Sequence, residues 1–223
     1  TLHLQPIVEL AGNVPVGAEA LLRWTLPDGR SVSPVEFIPI AERTGMILAI
    51  DEWVLVHALE VLRTWQDDPA MAAFHVAVNI SGRHITDGSL PQLVADKCHE
   101  ARIDPRFLSI EVTETYLMAD AARARAVLEE LRAIGVRVAI DDFGTGYSSM
   151  SSLHELPADT IKIDQVFVAG LTRSATDRTI VELVLRLAES LGMKVIAEGV
   201  DSEDKLAQLR LLGCQMAQGF HLA

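Results

Sequence analysis

Along most of the chain, short and nearly unbroken apolar runs alternate with longer stretches whose apolar residues recur at helical spacing. The runs at 2–8, 16–23, 75–80, 108–113, 136–141, 160–164, 194–198 and 214–218 read as β-strands. Between them, 51–65, 120–134, 175–191 and 202–212 read as amphipathic helices. Three of these helices end at a glycine: Gly135 after Ile134, Gly192 after Leu191 and Gly213 after Leu212. Ser202 is placed to cap the start of the last one. Strands that are apolar almost throughout must be covered on both faces. Their alternation with helices therefore predicts a modified (β/α)8 TIM-type barrel, a closed α/β fold. The opening departs from that regularity. Runs 2–8 and 16–23 are joined by a hairpin-length link containing Gly12-Asn13, too short for a parallel crossover, so the first strand is predicted antiparallel. An open doubly wound sheet is the competing architecture, but no GxGxxG follows the first strand.

Composition fits one folded unit. The 223 residues are 49% hydrophobic, enough for a substantial core, and 1–223 is read as a single domain. The net charge of −12 argues against a nucleic-acid polymer or an anionic membrane surface as partner. Glu42, Arg43, Asp51 and Glu52 interrupt the most apolar region, so no stretch is long enough to span a bilayer. The chain starts at Thr1 without a methionine, which reads as a domain excised from something longer, cytoplasmic itself even if the whole protein is tethered to a membrane. Cys98 and Cys214 have no ligand-type spacing and read as reduced structural residues.

The candidate chemistry lies at the strand ends. Asp141 and Asp142 terminate one apolar run and open Phe143-Gly144-Thr145-Gly146-Tyr147-Ser148-Ser149. Adjacent carboxylates at a strand end lose hydration and repel, so a positive group must compensate them. No basic residue follows within several positions, which points to a metal ion. Barrel enzymes carry their chemistry at the C-terminal strand ends, and those positions are Glu19, Asn79, Glu111, Asp141, Asp142, Lys162, Glu198 and Gln218. Strand parity agrees: in Ile161-Lys162-Ile163, Ile110-Glu111-Val112 and Val78-Asn79-Ile80, branched residues share one face and the polar residue takes the other. Carboxylates with one amide, and no histidine or cysteine, make a hard-oxygen set suited to Mg²⁺ or Mn²⁺. Asp141 is placed to bridge two ions with Asp142 on one of them, the arrangement that serves in-line phosphoryl displacement. Lys162, among acids, is expected to stay protonated and to handle water or stabilise charge rather than act as a base.

These residues also carry a resemblance across almost the whole chain. Glu19-Ala20-Leu21, within Gly17-Ala18-Glu19-Ala20-Leu21-Leu22-Arg23-Trp24, resembles the motif that names the EAL family of cyclic di-GMP phosphodiesterases. In order, Gln5-Pro6-Ile7-Val8, Phe37-Ile38-Pro39-Ile40-Ala41-Glu42, Val78-Asn79-Ile80-Ser81 and Glu111-Val112-Thr113-Glu114 match further blocks. The Asp141–Ser149 segment, Ile161-Lys162-Ile163-Asp164, Ala197-Glu198-Gly199-Val200 and Gln218-Gly219-Phe220 complete the series. The resemblance implies metal-dependent hydrolysis of cyclic di-GMP to linear pGpG with two Mg²⁺ or Mn²⁺ ions. It implies Glu19, Asn79, Glu111, Asp141, Asp142 and Glu198 as metal ligands, with Glu19, Lys162 and Glu198 as the catalytic group. Gln5, Leu22, Arg23 and Gln218 become substrate contacts, Arg23 on a phosphate through its planar donors. Glu114 becomes the anchor of the Gly144–Tyr147 loop, which in the family couples metal binding to a homodimer.

Two departures stand out. Asp201 occupies a position where the family usually has glutamate, one methylene longer. The chain also stops at Ala223, where the family continues into a closing helix, so the domain is expected to lack that helix and to have a weakened seam. A non-catalytic or weakly active cyclic di-GMP receptor is the alternative reading, and Asp201 alone leans toward it. A barrel enzyme for another phosphodiester is a third. His57, His75, His84, His99 and His154 align with no rim position and read as packing or surface residues.

Overall fold

The computed structural model describes residues 1–144 and 156–222. The chain opens with β1 (Leu2–Glu9) and β2 (Val14–Leu22), a short hairpin of β3 (Trp24–Thr25) and β4 (Ser31–Val32), then α1 (Pro34–Thr44) and α2 (Ile47–Gln66). There follow β5 (His75–Asn79), α3 (Gly82–Asp87), α4 (Leu90–Ala101), β6 (Leu108–Thr113), α5 (Glu114–Ala119) and α6 (Ala121–Ala133). The second half contains β7 (Arg137–Phe143), β8 (Thr160–Ile163), α7 (Gln165–Gly170), α8 (Ala175–Leu191), β9 (Lys194–Ala197), α9 (Glu203–Leu211) and β10 (Met216–Ala217).

Eight strands close into a barrel in the order β1-β10-β9-β8-β7-β6-β5-β2. β1 runs antiparallel to both neighbours, with Gln5 opposite Glu19 on β2 and Val8 opposite Ala217 on β10. The remaining barrel pairs are parallel. The inverted first strand thus follows from the short link at Gly12-Asn13. The predicted run 214–218 contracts to a two-residue strand, and α1, α3, α4, α5, α7 and the β3–β4 hairpin are elements the sequence reading did not single out.

Parity separates two cores. Val76, Val78, Ile110, Val112, Val138, Ile140, Ile161, Ile163, Val195 and Ala197 belong to the large cluster between the strands and the helices. Ile7, Ala77, Ile196 and Met216 form a small cluster inside the barrel. Residues on the parity of Ala77 and Ile196 therefore point inward, and two positions further on come Asn79 and Glu198. The helices seal the outer layer: α2 buries Ile47, Val54, Leu55, Ala58, Leu59 and Leu62 along one face, a 3.6-residue rhythm. α8 is bounded chemically, since Ser174 Oγ accepts from the Asp177 amide and Gly192 closes the helix at φ 71°.

At the barrel floor, His75 opens β5 under close packing: a Cβ on neighbouring Gly17 would lie 2.3 Å from the His75 carbonyl oxygen. Burial, reinforced by the charge of Arg137, lowers the His75 imidazole from 6.5 to about 4. The unfolded chain therefore takes up this proton first, and stability present above pH 6.5 is lost as pH falls toward 4. Between pH 7 and 4.5 this histidine is expected to remove on the order of 2–3 kcal/mol. Urea unfolding of the wild type and of His75→Gln at both pH values checks it. The loss attributable to His75 is the part of the wild-type slope that the variant lacks.

Candidate active site

Lys162 lies at the centre of the upper barrel, its side chain wholly buried. Its ammonium contacts four carboxylates: Glu111 at 2.6 Å, Glu198 at 2.7 Å, Glu19 at 3.1 Å and Asp141 at 3.2 Å. The positive group that Asp141 requires is thus supplied from the next strand, not from nearby sequence. The absence of a basic residue nearby in sequence pointed to a metal ion, and the structure adds Lys162 as a first, partial compensator. One ammonium does not neutralise the rim, however. With Asp142, five carboxylates face it, leaving four formal negative charges if all ionise.

The other inward residues complete a connected network. Glu19 accepts from Asn79 Nδ2 through Oε1 at 2.6 Å, and through Oε2 from Gln218 Nε2 at 2.6 Å and from Lys162. Gln218 Nε2 also donates to Glu198 at 3.1 Å. Within this network, among the described residues, Glu111 Oε1 and Gln218 Oε1 are buried without a hydrogen-bond partner. Unpaired buried acceptors are costly, and they are acceptors of the kind that a hard cation takes.

Asp141 and Asp142 need a local device to act together, because adjacent strand residues face opposite sides. The register of β7 on β8 shifts between Ile140 and Phe143, and Asp142 takes a left-handed conformation at φ 54°. Aspartate tolerates that region better than most residues, yet it remains a strained choice. The result is that Asp141, Asp142 and Glu198 each offer a ligand atom within 4.8 Å of the others. This acidic group is able to hold a metal ion.

Electrostatics differ sharply among these acids. Burial pushes Glu111 well above the usual carboxylate range, and it raises Glu198 to about 7 and Asp142 to about 6. In each of the three, neighbouring acidic charge adds to the effect of burial. Burial also acts to raise Glu19, but the Lys162 charge and the hydrogen bonds from Gln218, Asn79 and Lys162 outweigh it, so Glu19 is held low. For Lys162, burial favours the neutral amine, and the surrounding carboxylates overcome it and keep the group protonated.

The remaining expected residues are placed in different ways. Leu22 and Arg23 line a hollow of about 450 Å³ together with Asn79, Glu111, Asp141 and Asp142. Gln5 sits opposite Glu19 in the β1–β2 ladder but is not among the residues lining that hollow. Glu114 accepts from the Gly144 amide at 2.8 Å, at the point where the loop begins. Gly146, Tyr147, Ser148, Ser149 and His154 lie outside the described residues. Asp201 is turned away: its carboxylate is mostly exposed and pairs with Lys205 at 2.8 Å. The departure from glutamate therefore falls on an exposed carboxylate paired with the buried Lys205, not on a member of the Lys162 cluster.

The sequence profile of the EAL domain matches residues 1–223. The chain belongs to the EAL domain family. This EAL domain is 42% identical over 222 residues to the Pseudomonas aeruginosa bifunctional diguanylate cyclase/cyclic di-GMP phosphodiesterase MucR, covering 99% of the chain and 32% of MucR. It is 36% identical to the cyclic di-GMP phosphodiesterase PA2567 of the same organism, covering 38% of that protein. The chain thus spans about a third of the length of these relatives. Among solved structures, the PaMucR phosphodiesterase in complex with c-di-GMP superposes with a TM-score of 0.96 at 40% identity, covering 100% of this chain and 90% of the other. The EAL domain of Mycobacterium smegmatis DcpA gives 0.83 at 32% identity, covering 100% and 89%. Among the described residues, no helix is long and apolar enough to cross a membrane.

Proposed function

We propose that this EAL domain hydrolyses one phosphodiester bond of cyclic di-GMP to linear pGpG with two Mg²⁺ or Mn²⁺ ions. The observation that carries the reading is the Asp141–Asp142–Glu198 group beside a buried, protonated Lys162. Two relatives named as cyclic di-GMP phosphodiesterases, and a neighbour solved with c-di-GMP, support the substrate. The excess of negative charge at the rim is the reason to invoke cations, since an anionic diester would otherwise be repelled. Glu19, Asn79, Glu111, Asp141, Asp142 and Glu198 are the residues that would hold them. Bound ions would acidify water and neutralise charge on the phosphate.

The protein's own groups divide the remaining work. Arg23, in the wall of the hollow, binds a phosphate, and Leu22 packs against the bound nucleotide. Lys162 orients its carboxylates and donates toward the attacking water, but it is not a base, because it does not give up its proton near neutrality. Glu198, whose carboxylate lies 2.7 Å from the Lys162 ammonium, pairs with Lys162 in handling the attacking water. It accepts the proton that water loses as it attacks phosphorus. The P–O3′ bond breaks, the leaving oxygen is protonated by solvent, and the product carries a 5′-phosphate. Gln5 and Gln218 position substrate and water, Glu114 holds the loop after Gly144, and a homodimer completes the reading.

The test is product analysis by chromatography with purified domain, cyclic di-GMP and Mg²⁺ or Mn²⁺, with and without EDTA. The expected result is pGpG that disappears with chelation. Binding without any linear product would leave a receptor, and comparable cleavage of other cyclic dinucleotides would overturn the substrate assignment.

A further inference from the structure

Asp51 is the one acid on the buried face of α2, only 4% exposed among Ile47, Val54, Leu55 and Ala58. A carboxylate in an apolar face is destabilising unless a specific contact requires it. That contact is Ser81, two residues beyond Asn79. The Ser81 amide donates to Asp51 Oδ2 at 3.1 Å and its hydroxyl donates to the same oxygen at 2.6 Å.

The Ser81 hydroxyl is diverted from its usual work. Ser81 occupies the N-cap position of α3 at φ −68° and ψ 148°, the geometry in which serine ordinarily accepts from the first helical amides. It makes no side-chain cap bond there. The local network is also incompletely satisfied: His84 Nε2 is buried without a hydrogen-bond partner and stands 3.9 Å from Asp51 Oδ2. A half-satisfied buried network is retained where a position matters more than stability.

The position at stake is that of Asn79, the last residue of β5. Its Nδ2 donates to Glu19 Oε1, and only the NH₂ end of an amide can donate to a carboxylate, so Oδ1 is the end left for a cation. Upstream, β5 is fixed by its ladder to β6, and Ile80 N continues that ladder to Glu111 O at 3.0 Å. Downstream, the backbone is fixed at Ser81 by Asp51. We infer that Asp51 is a positioning residue for the metal site, clamping the β5–α3 junction through Ser81 so that the Asn79 amide stays aimed. This inference rests on the metal reading proposed above.

The test is calorimetric Mn²⁺ binding to the wild type, Asp51→Asn, Asp51→Leu and Ser81→Ala, with thermal melting of each apoprotein. Because both Ser81 donors use one oxygen, Asp51→Asn keeps the acceptor and is expected to bind Mn²⁺ within about threefold of wild type. Asp51→Leu removes the acceptor and is expected to weaken Mn²⁺ about 10–100-fold. Its melting temperature is expected to fall, since the buried Ser81 amide and hydroxyl lose their acceptor. Its affinity is therefore read on the folded protein below that melting point. Wild-type Mn²⁺ affinity in folded Asp51→Leu overturns the inference. If that variant misfolds, Ser81→Ala decides, with a weakening of about 10-fold expected and an unchanged affinity overturning it. A wild type that binds no Mn²⁺ overturns the metal reading itself, and the inference falls with it.

Discussion

Lys162→Met is expected to leave a folded but weakened apoprotein with turnover lowered about 10²–10³-fold. The ammonium is the only positive charge in contact with Glu19, Glu111, Asp141 and Glu198 among the described residues, and methionine removes it while keeping comparable volume. Deleting one side of a buried ion cluster strands its partners, at a cost of about 3–5 kcal/mol. The sign of the pH dependence follows. Without Lys162, Glu111 and Glu198, already raised by burial and by neighbouring acids, lose the charge that opposes that rise and titrate higher still. The folded variant then binds more protons than its unfolded chain, so its stability is greatest at low pH and falls as pH rises from about 4.5 through 7. Millimolar Mg²⁺ or Mn²⁺ should restore much of the melting temperature at neutral pH, because a cation replaces the lost charge. Turnover should not return, since an added ion does not replace the hydrogen-bond donor that orients the attacking water. Melting curves at pH 5, 6 and 7.5 with and without Mg²⁺, alongside product formation, check both halves. Equal melting at all three pH values would refute the charge assignment.

Much of this was legible in the chain, and particular residues show why. Apolar runs and the parity within Ile161-Lys162-Ile163 depend only on the two-residue repeat of a strand, so the barrel and its inward set could be read directly. The hairpin link at Gly12-Asn13 likewise fixed the direction of β1. Three-dimensional pairing was not legible. Nothing near Asp141 announces Lys162, because β8 reaches it through the barrel and not along the chain. The way Asp141 and Asp142 come to share a site was equally hidden, since it depends on a register shift and one left-handed residue. Asp201 was assessed by its reach toward the rim, whereas it pairs with Lys205, one turn later in α9. Asp51 escaped notice because it interrupts an otherwise apolar helix face, and a single acid there reads as a solvent-facing position. The signal available was that its spacing from Ile47 and Val54 put it on the buried side.

Glu19→Gln is expected to be nearly as damaging as loss of the lysine, although it changes one atom. Glu19 is 4% exposed, and its hydrogen-bond partners among the described residues are all donors: Asn79 Nδ2 on one oxygen, Gln218 Nε2 and Lys162 Nζ on the other. A carboxylate only accepts, whereas an amide brings an NH₂ group. Whichever way a glutamine turns, that group meets a donor, either the Asn79 amide or the Gln218 amide and the lysine ammonium. Each buried donor left unsatisfied costs about 1–3 kcal/mol, and the ammonium loses one of its four counter-charges as well. The apoprotein is therefore expected to lose about 3 kcal/mol in urea unfolding at pH 7.5. Asn79 and Gln218, each oriented by Glu19, lose their aim together, which should lower turnover about 10²–10³-fold. Turnover within tenfold of wild type would mean that the donors around Glu19 rearrange freely. The rim would then be a loose collection of acids, not the mutually oriented set from which hydrolysis is argued.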